Sequence, residues 1–394
     1  MGHNSWNYVP VSNIAGIYLG GTPSRSNPEY WGGEINWASA KDIAFSDARY
    51  IYDTEETITE DGLENSAAKL MNKDTIVITA RGTVGAIRML GKSMSFNQTC
   101  YGLAAREGFD PSFLFYALKA SIAEIKSLSY GTVFDTITKI TFDSLLVPFP
   151  PLPEQRAFAE VLGSLDDKIE LNRCMNQTLE EMASAVFKHW FVNNEELKGW
   201  EVGSILDLAD LLSGGTPSTA EPNYWNGDIE WVSAKDVGNA GGFFLLDTEK
   251  KITQAGIENS NTKMLPAKTT IVTARGTVGA YCLLGRPMAM NQTNYGLKAK
   301  EDIGDFFVYF TLKSIIEQLH QQSYGTIFDT ITTITFRDAS CVQPPKDMIA
   351  KFENQVSPMM EAILNNQEQS RTLASLRDTL LPRLISGEII VKDV

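Results

Sequence analysis

The chain is poor in the residues that most often carry metal or covalent chemistry. Its 394 residues include four cysteines and three histidines. Cys100, Cys174, Cys282 and Cys341 form no CxxC pair, and the histidines do not cluster, so neither a zinc site nor a disulfide framework is expected. No GxxxxGK[ST] is present, which excludes a P-loop motor, and no GxSxG points to a serine hydrolase. No apolar run approaches the ~20 residues that span a bilayer. The opening MGHNSWNYVPVSN has neither a basic stretch nor an apolar one, so no secretory signal is read there and a cytoplasmic location is expected. Asn27-Pro28-Glu29-Tyr30 comes near an amino-methyltransferase tetrapeptide. Glutamate replaces the second proline, however, and the counterpart reads Glu221-Pro222-Asn223-Tyr224. No catalytic residue and no metal ligand is assigned.

What is present is a duplication. At a constant offset of 194 residues, GGTPSRSNPEYWGGEINWASAKD (Gly20–Asp42) returns as GGTPSTAEPNYWNGDIEWVSAKD (Gly214–Asp236). TARGTVGA at Thr79–Ala86 returns at Thr273–Ala280, NQT at Asn97–Thr99 returns at Asn291–Thr293, and SYGT followed by FDTIT recurs from Ser129 and from Ser323. Between Gly20 and Phe142, 61 of 123 ungapped positions are identical. A period this long marks two tandem domains rather than a solenoid.

Each copy alternates short β-rich runs with glycine turns: Thr75–Ala80, Thr269–Ala274, and TITKITF and TITTITF read as strands. Helices are predicted over Pro111–Ser127 and Asp305–Gln321. Together these read as mixed α/β domains. Proline breakers (VPFPPLP, QPP) then lead into long helical patterns. The first runs through Phe158, Leu162, Leu165, Ile169, Asn172, Asn176, Leu179, Ala183, Val186 and Trp190. The second runs through Phe352, Val356, Met359, Ile363, Asn366, Ser370 and Leu373, then Leu376, Leu380 and Leu384. Such 4,3 spacing predicts a coiled-coil seam. The expected layout is a recognition domain at 1–151, a helix at 152–194, a second domain at 195–345, a second helix at 346–387 and a tail at 388–394. The helices would form an antiparallel coiled coil separating the domains about a pseudo-two-fold. The amides of Asn172 and Asn176 would then meet Asn366 and Ser370 at mid-seam and fix register, a solvated edge being the alternative.

The net charge of −14 argues against a bare nucleic-acid binder, but its distribution does not. Residues 65–106 hold Lys69, Lys73, Arg81, Arg88, Lys92 and Arg106 against Asp74 alone, and 259–300 hold six basic residues and no acid. Each copy thus gathers positive charge in the same segment, as a phosphate-facing surface would. The recurring polar groups suit DNA. Lys41 and Lys235 follow tryptophan-bearing strands, and Arg81 and Arg275 sit on turns beside the hydroxyls of Thr83 and Thr277. Asn97-Gln98 and Asn291-Gln292 offer amides for adenine. Tyr130, Thr132 and Thr136, with Tyr324, Thr326 and Thr330, form a second polar turn. Turn capping is the competing role for each, most of all for Asn97 and Asp135.

These motifs together resemble the specificity subunit of type I restriction-modification systems. The likeness covers essentially the whole chain: GGTPS, SAKD, TARGTVG and NQ·YG in each half, a PPLPEQ-type helix entry, and LLPRLISGEI at Leu380–Ile389. The second entry departs from the pattern as Gln343-Pro-Pro-Lys-Asp-Met-Ile. The resemblance implies a non-catalytic reader of double-stranded DNA with a split target, docking two methyltransferase subunits and, for restriction, motor-nuclease subunits. The partners would use S-adenosylmethionine to methylate adenine N6, and ATP and Mg for restriction, while this chain binds no cofactor. Shared side chains in the two copies imply a near-palindromic target, with helix length setting its spacer. A self-contained modification enzyme and a protein-only scaffold are the rival readings.

Overall fold

A computed structural model describes residues 6–45, 48–129, 136–193, 199–240, 243–322, 330–389 and 391. The chain forms two compact units: 1–170 with 371–394, and 171–370. Each unit holds a five-stranded sheet, a smaller one and a two-stranded ladder (Asn7–Pro10 with Leu146–Phe149, Glu201–Ser204 with Ser340–Gln343). In the first unit the strand order is Ala15–Leu19, Cys100–Ala105, Ile76–Thr79, Ile87–Leu90 and Tyr50–Ile51, antiparallel except for the last pair. In the second it is Ala209–Ser213, Asn294–Ala299, Thr270–Thr273, Tyr281–Leu284 and Phe244–Leu245, with the same directions. Strands Ile76–Thr79 and Thr270–Thr273 are buried along their whole length, which is why they read as unbroken apolar and threonine runs. The smaller sheets centre on Trp31–Ala38 and Trp225–Val232.

Two 40-residue helices, Leu152–Phe191 and Lys346–Ile385, complete the cores and run antiparallel within each unit. In the first unit Asp166 meets Arg377, and Phe158 packs on Trp6, which itself lies against Gly387. In the second, Ala183, Phe187 and Phe191 share a core with Ile349, Phe352, Val356, Met360 and Ile363. The seam differs in detail from the 4,3 reading. Asp166, Phe187 and Met360 are buried where Leu165, Val186 and Met359 were expected, and Leu376 is 45% exposed while Arg377 is buried. The straight-helix period of 3.6 drifts against a strict 3.5 repeat, so neighbouring positions take over the inner face.

Two further expectations change. The helix predicted over Pro111–Ser127 breaks at Ser121, whose hydroxyl donates to the Ala117 carbonyl at 2.9 Å, giving Pro111–Ala120 and Ile122–Ser129. TITKITF and TITTITF do not form strands. Lys139–Ser144 and Thr333–Asp338 are short helices, because Thr138 and Thr332 cap them reciprocally with Thr141 and Thr335, and Phe142 and Phe336 bury their rings in the cores. Threonine's β preference gave way to its capping hydroxyl.

One cap shows how the copies diverged without losing the fold. Asp110 Oδ1 accepts the Phe113 amide at 2.9 Å and starts the helix Pro111–Ala120. The counterpart of Asp110 is Gly304, and the Phe307 amide donates instead to Glu353 Oε1, at 2.6 Å, from the second long helix. A Cβ at Gly304 would fall about 2 Å from that carboxylate. Burial pushes Glu353 up to about 7.

Candidate nucleic-acid interface

The sheet topology brings the repeated motifs to one end of each unit. Because adjacent central strands are antiparallel, the end of Ile76–Thr79 and the start of Cys100–Ala105 lie side by side, with Thr79 opposite Cys100. The Ala80 amide donates to the Thr99 carbonyl at 2.7 Å, and the Asn97 amide to the Ala38 carbonyl at 2.9 Å. Ala38 closes the strand that leads directly into Ser39-Ala-Lys41-Asp42. The Ile137 amide donates to the Ala80 carbonyl at 3.2 Å and tethers the threonine-rich turn to the same edge. The second unit repeats these links at Ala274–Thr293, Asn291–Val232 and Ile331–Ala274.

The GGTP segment is locked onto this end by absence of side chains. A Cβ on Gly20 would lie 2.1 Å from the Asn97 carbonyl oxygen, and one on Gly214 would lie 2.3 Å from the Asn291 oxygen. Trp37 Nε1 donates to the Gly21 carbonyl at 2.9 Å and Trp231 Nε1 to the Gly215 carbonyl at 3.0 Å. The tryptophans therefore brace the loop rather than stack on a ligand. The Thr22 hydroxyl donates to Gln98 Oε1, and that of Thr216 to Gln292 Oε1. In the second unit Thr216, Ser218, Asn259, Ser260, Asn261 and Gln292 line a polar cleft of 460 Å³.

The individual candidates divide by what they are already doing. Arg81 and Arg275 are exposed and have no ion-pair partner among the described residues, and Thr83 and Thr277 are exposed beside them. Their turns need left-handed backbone at Gly82 (φ 75°) and Gly276 (φ 85°), and are pinned by the Thr79 and Thr273 hydroxyls, which donate to the Thr83 and Thr277 carbonyls. The turn is thus fixed while its arginine stays unengaged. Lys41 and Lys235 are exposed but paired, with Glu55 at 2.8 Å and Glu249 at 2.6 Å, and the hydrogen bond each donates to its carboxylate raises both lysines above their ordinary range.

Asn97 Oδ1 accepts from the Thr99 amide at 3.1 Å and hydroxyl at 2.7 Å; Asn291 does the same with Thr293. A bidentate amide–adenine pair would first have to break that turn. Thr330 donates its hydroxyl to the Ala274 carbonyl at 3.0 Å, and Thr136 is not free of partners either. Tyr130, Thr132, Tyr324, Thr326, Asp135 and Asp329 lie outside the described residues.

The basic windows are thinner than the residue count implies. Arg88 is buried, donating to the carbonyls of Ala48, Asp42 and Tyr50, and its counterpart is Cys282. Lys92, Lys268, Arg286 and Lys298 pair with Asp53, Glu361, Glu230 and Asp305. Lys69, Lys73, Arg106, Lys263, Lys300 and the two turn arginines remain exposed without an ion-pair partner among the described residues.

At mid-helix in the second unit Asn172 is fully buried. Its Nδ2 donates to Gln369 Oε1 at 2.8 Å, Ser370 Oγ at 3.2 Å and the Asn366 carbonyl at 3.3 Å, while Asn366 Nδ2 donates to Asn176 Oδ1 at 2.9 Å. The four residues do meet, and the solvated-edge alternative is set aside by the burial of Asn172 and Asn176. Gln369 was not anticipated. It enters because an amide acceptor one helical position from Ser370 reaches the same partner.

Comparison with known proteins adds a second line of evidence. The model of the type I restriction modification DNA specificity domain matches residues 4–181 and again 197–352. The chain is similar to the type I restriction enzyme MjaIX specificity subunit of Methanocaldococcus jannaschii, 26% identical, over 99% of this chain and 94% of that one. It is also similar to the HindI specificity subunit of Haemophilus influenzae, 27% identical, over 71% of this chain and 77% of that one. The crystal structure of a type I restriction-modification S subunit from M. genitalium shares the fold, with a TM-score of 0.61 at 16% identity, covering 99% of this chain and 98% of that one.

Proposed function

Because the chain belongs to the type I restriction-modification DNA specificity family, whose domain it carries twice, we propose that each unit reads one half of a bipartite, near-palindromic DNA target. DNA sequence recognition is the family's function. The finer reading rests on one observation above the rest: the same turn in both units fixes an exposed arginine that nothing among the described residues neutralises. An arginine so placed is ready to donate to guanine or phosphate, and the hydroxyls and backbone amides around it position a backbone. Identical side chains on an identical scaffold prefer identical base edges, which makes the half-sites inverted copies of each other.

In this reading the chain does no chemistry itself. It docks two methyltransferase subunits, and motor-nuclease subunits for restriction, along its long helices. The partners use S-adenosylmethionine on adenine N6, and ATP and Mg for cleavage, in the cytoplasm. No helix among the described residues is long and apolar enough to cross a membrane. The rival reading is a self-contained modification enzyme, and methylation by the purified chain alone would favour it.

Methylation mapping of the host genome, with and without this gene, tests the proposal. The expected result is a gene-dependent split motif whose halves are near-inverted copies. Unrelated half-sites would move base reading out of the shared motifs and into segments 44–56 and 238–250, where 3 of 13 positions agree. No gene-dependent motif at all would overturn the assignment.

A further inference from the structure

The identities inside that most divergent segment are three consecutive residues, Asp53-Thr54-Glu55 and Asp247-Thr248-Glu249. In both units this tripeptide is fastened to the start of the SAKD helix by the same bonds. The Glu55 amide donates to Asp42 Oδ1 at 3.1 Å, and the Glu249 amide to Asp236 Oδ1 at 3.0 Å. The other oxygen of each aspartate accepts from the serine that caps its own helix. The Thr54 and Thr248 hydroxyls close onto the carbonyls of Glu56 and Lys250, each at 2.7 Å. This frame aims the Glu55 carboxylate at Lys41 and the Glu249 carboxylate at Lys235.

Folding gains little from such a pair. The side chains of Lys41 and Glu55 are 76% and 64% exposed, and those of Lys235 and Glu249 are 69% and 57% exposed; ion pairs this open contribute little to stability. A carboxylate on a phosphate-seeking face also weakens general attraction to DNA. A device that neither stabilises the fold nor strengthens bulk affinity, yet is built twice, fits discrimination.

We propose that Lys41–Glu55 and Lys235–Glu249 are donor–acceptor couples that each read one G·C base pair, at matching places in the two half-sites, with Glu55 and Glu249 as specificity-determining residues. In the major groove a G·C pair presents guanine N7 and O6, both acceptors, beside the donating N4 amino group of cytosine. The ammonium donates to the guanine edge while the adjacent carboxylate accepts from cytosine. Over an A·T pair the carboxylate would face thymine O4, an acceptor, and be repelled. Attraction to one pair and repulsion from the other come from the same two side chains. The proposal rests on the DNA-reading role given above to this loop cluster.

The test is methylation mapping in host cells carrying the wild-type chain, Glu55→Gln, Glu249→Gln or Lys41→Met. Glutamine keeps the shape of the side chain and removes the charge. The wild-type motif is expected to contain a G·C pair at the same place in each half. Glu55→Gln should lower discrimination at that position about tenfold or more in one half-site, and Glu249→Gln should do so in the other. Lys41→Met should relax the same base pair as Glu55→Gln. An unchanged motif in both glutamine variants, or Lys41→Met and Glu55→Gln acting at different positions, would overturn the couple. A wild-type chain that directs no sequence-specific methylation would overturn the DNA-reading role itself, and that result is read before any variant is compared.

Discussion

Arg377→Ala is expected to destabilise the first unit by about 3–5 kcal/mol, the usual cost of stranding one member of a buried ion pair. Arg377 Nη1 donates to Asp166 Oδ1 at 2.6 Å with both side chains buried, and the Tyr116 hydroxyl donates to Asp166 Oδ2 at 2.7 Å. Removal of the guanidinium leaves a carboxylate inside the helix interface with one neutral donor and no access to water. The repeat indicates what would relieve it. At the equivalent positions the second unit carries Phe310 for Tyr116, Met360 for Asp166 and Ala183 for Arg377, all buried and apolar. Tyr116→Phe/Asp166→Met/Arg377→Ala should therefore recover most of the loss, since a well-packed apolar patch often equals a buried pair in stability. Denaturant unfolding of the single and triple variants measures both. A loss below about 1 kcal/mol for Arg377→Ala would mean that water reaches Asp166.

The ion pair also shows where sequence reading reached its limit. Asp166 and Arg377 are separated by 211 residues, and each sits one position from a leucine that fits the 4,3 pattern, Leu165 and Leu376. Periodicity ranks leucine first, and only the partner across the interface makes the charged neighbour the inner residue. The duplication, the paired helices and the meeting of Asn172 with Ser370 were legible because they depend on spacing and residue type alone. The TIT segments were misread because β-branched alternation and threonine capping compete, and tertiary placement of Phe142 and Phe336 decides between them. Within the loop cluster, Arg81 and Lys41 were visible as cations on turns. Glu55 was not, because its bond to Lys41 follows from the Glu55 amide finding Asp42 across a 13-residue excursion. Arg88 looked like one more basic residue until three backbone carbonyls claimed it.

The same division between engaged and unengaged cations fixes the second large effect. Arg81→Ala and Arg275→Ala should each weaken recognition of one half-site by about 1–3 kcal/mol, leaving the other half-site and partner assembly unchanged. Both arginines are exposed on turns whose geometry is held by Gly82, Gly276 and the Thr79 and Thr273 hydroxyls, so truncation removes the reader without loosening its mount. Lys41 differs, because one of its three donors is already committed to Glu55. Binding of the assembled complex to the mapped target, and to targets altered one base pair at a time, separates two roles. If the arginine reads a guanine, the loss concentrates at one base pair and the salt dependence stays as it was. If it holds a phosphate, every sequence weakens alike and the slope of log K against log salt becomes shallower by about one ion. Wild-type affinity for both half-sites in both variants would return TARGTVGA to a purely structural role, with its glycines and threonines serving the sheet edge alone.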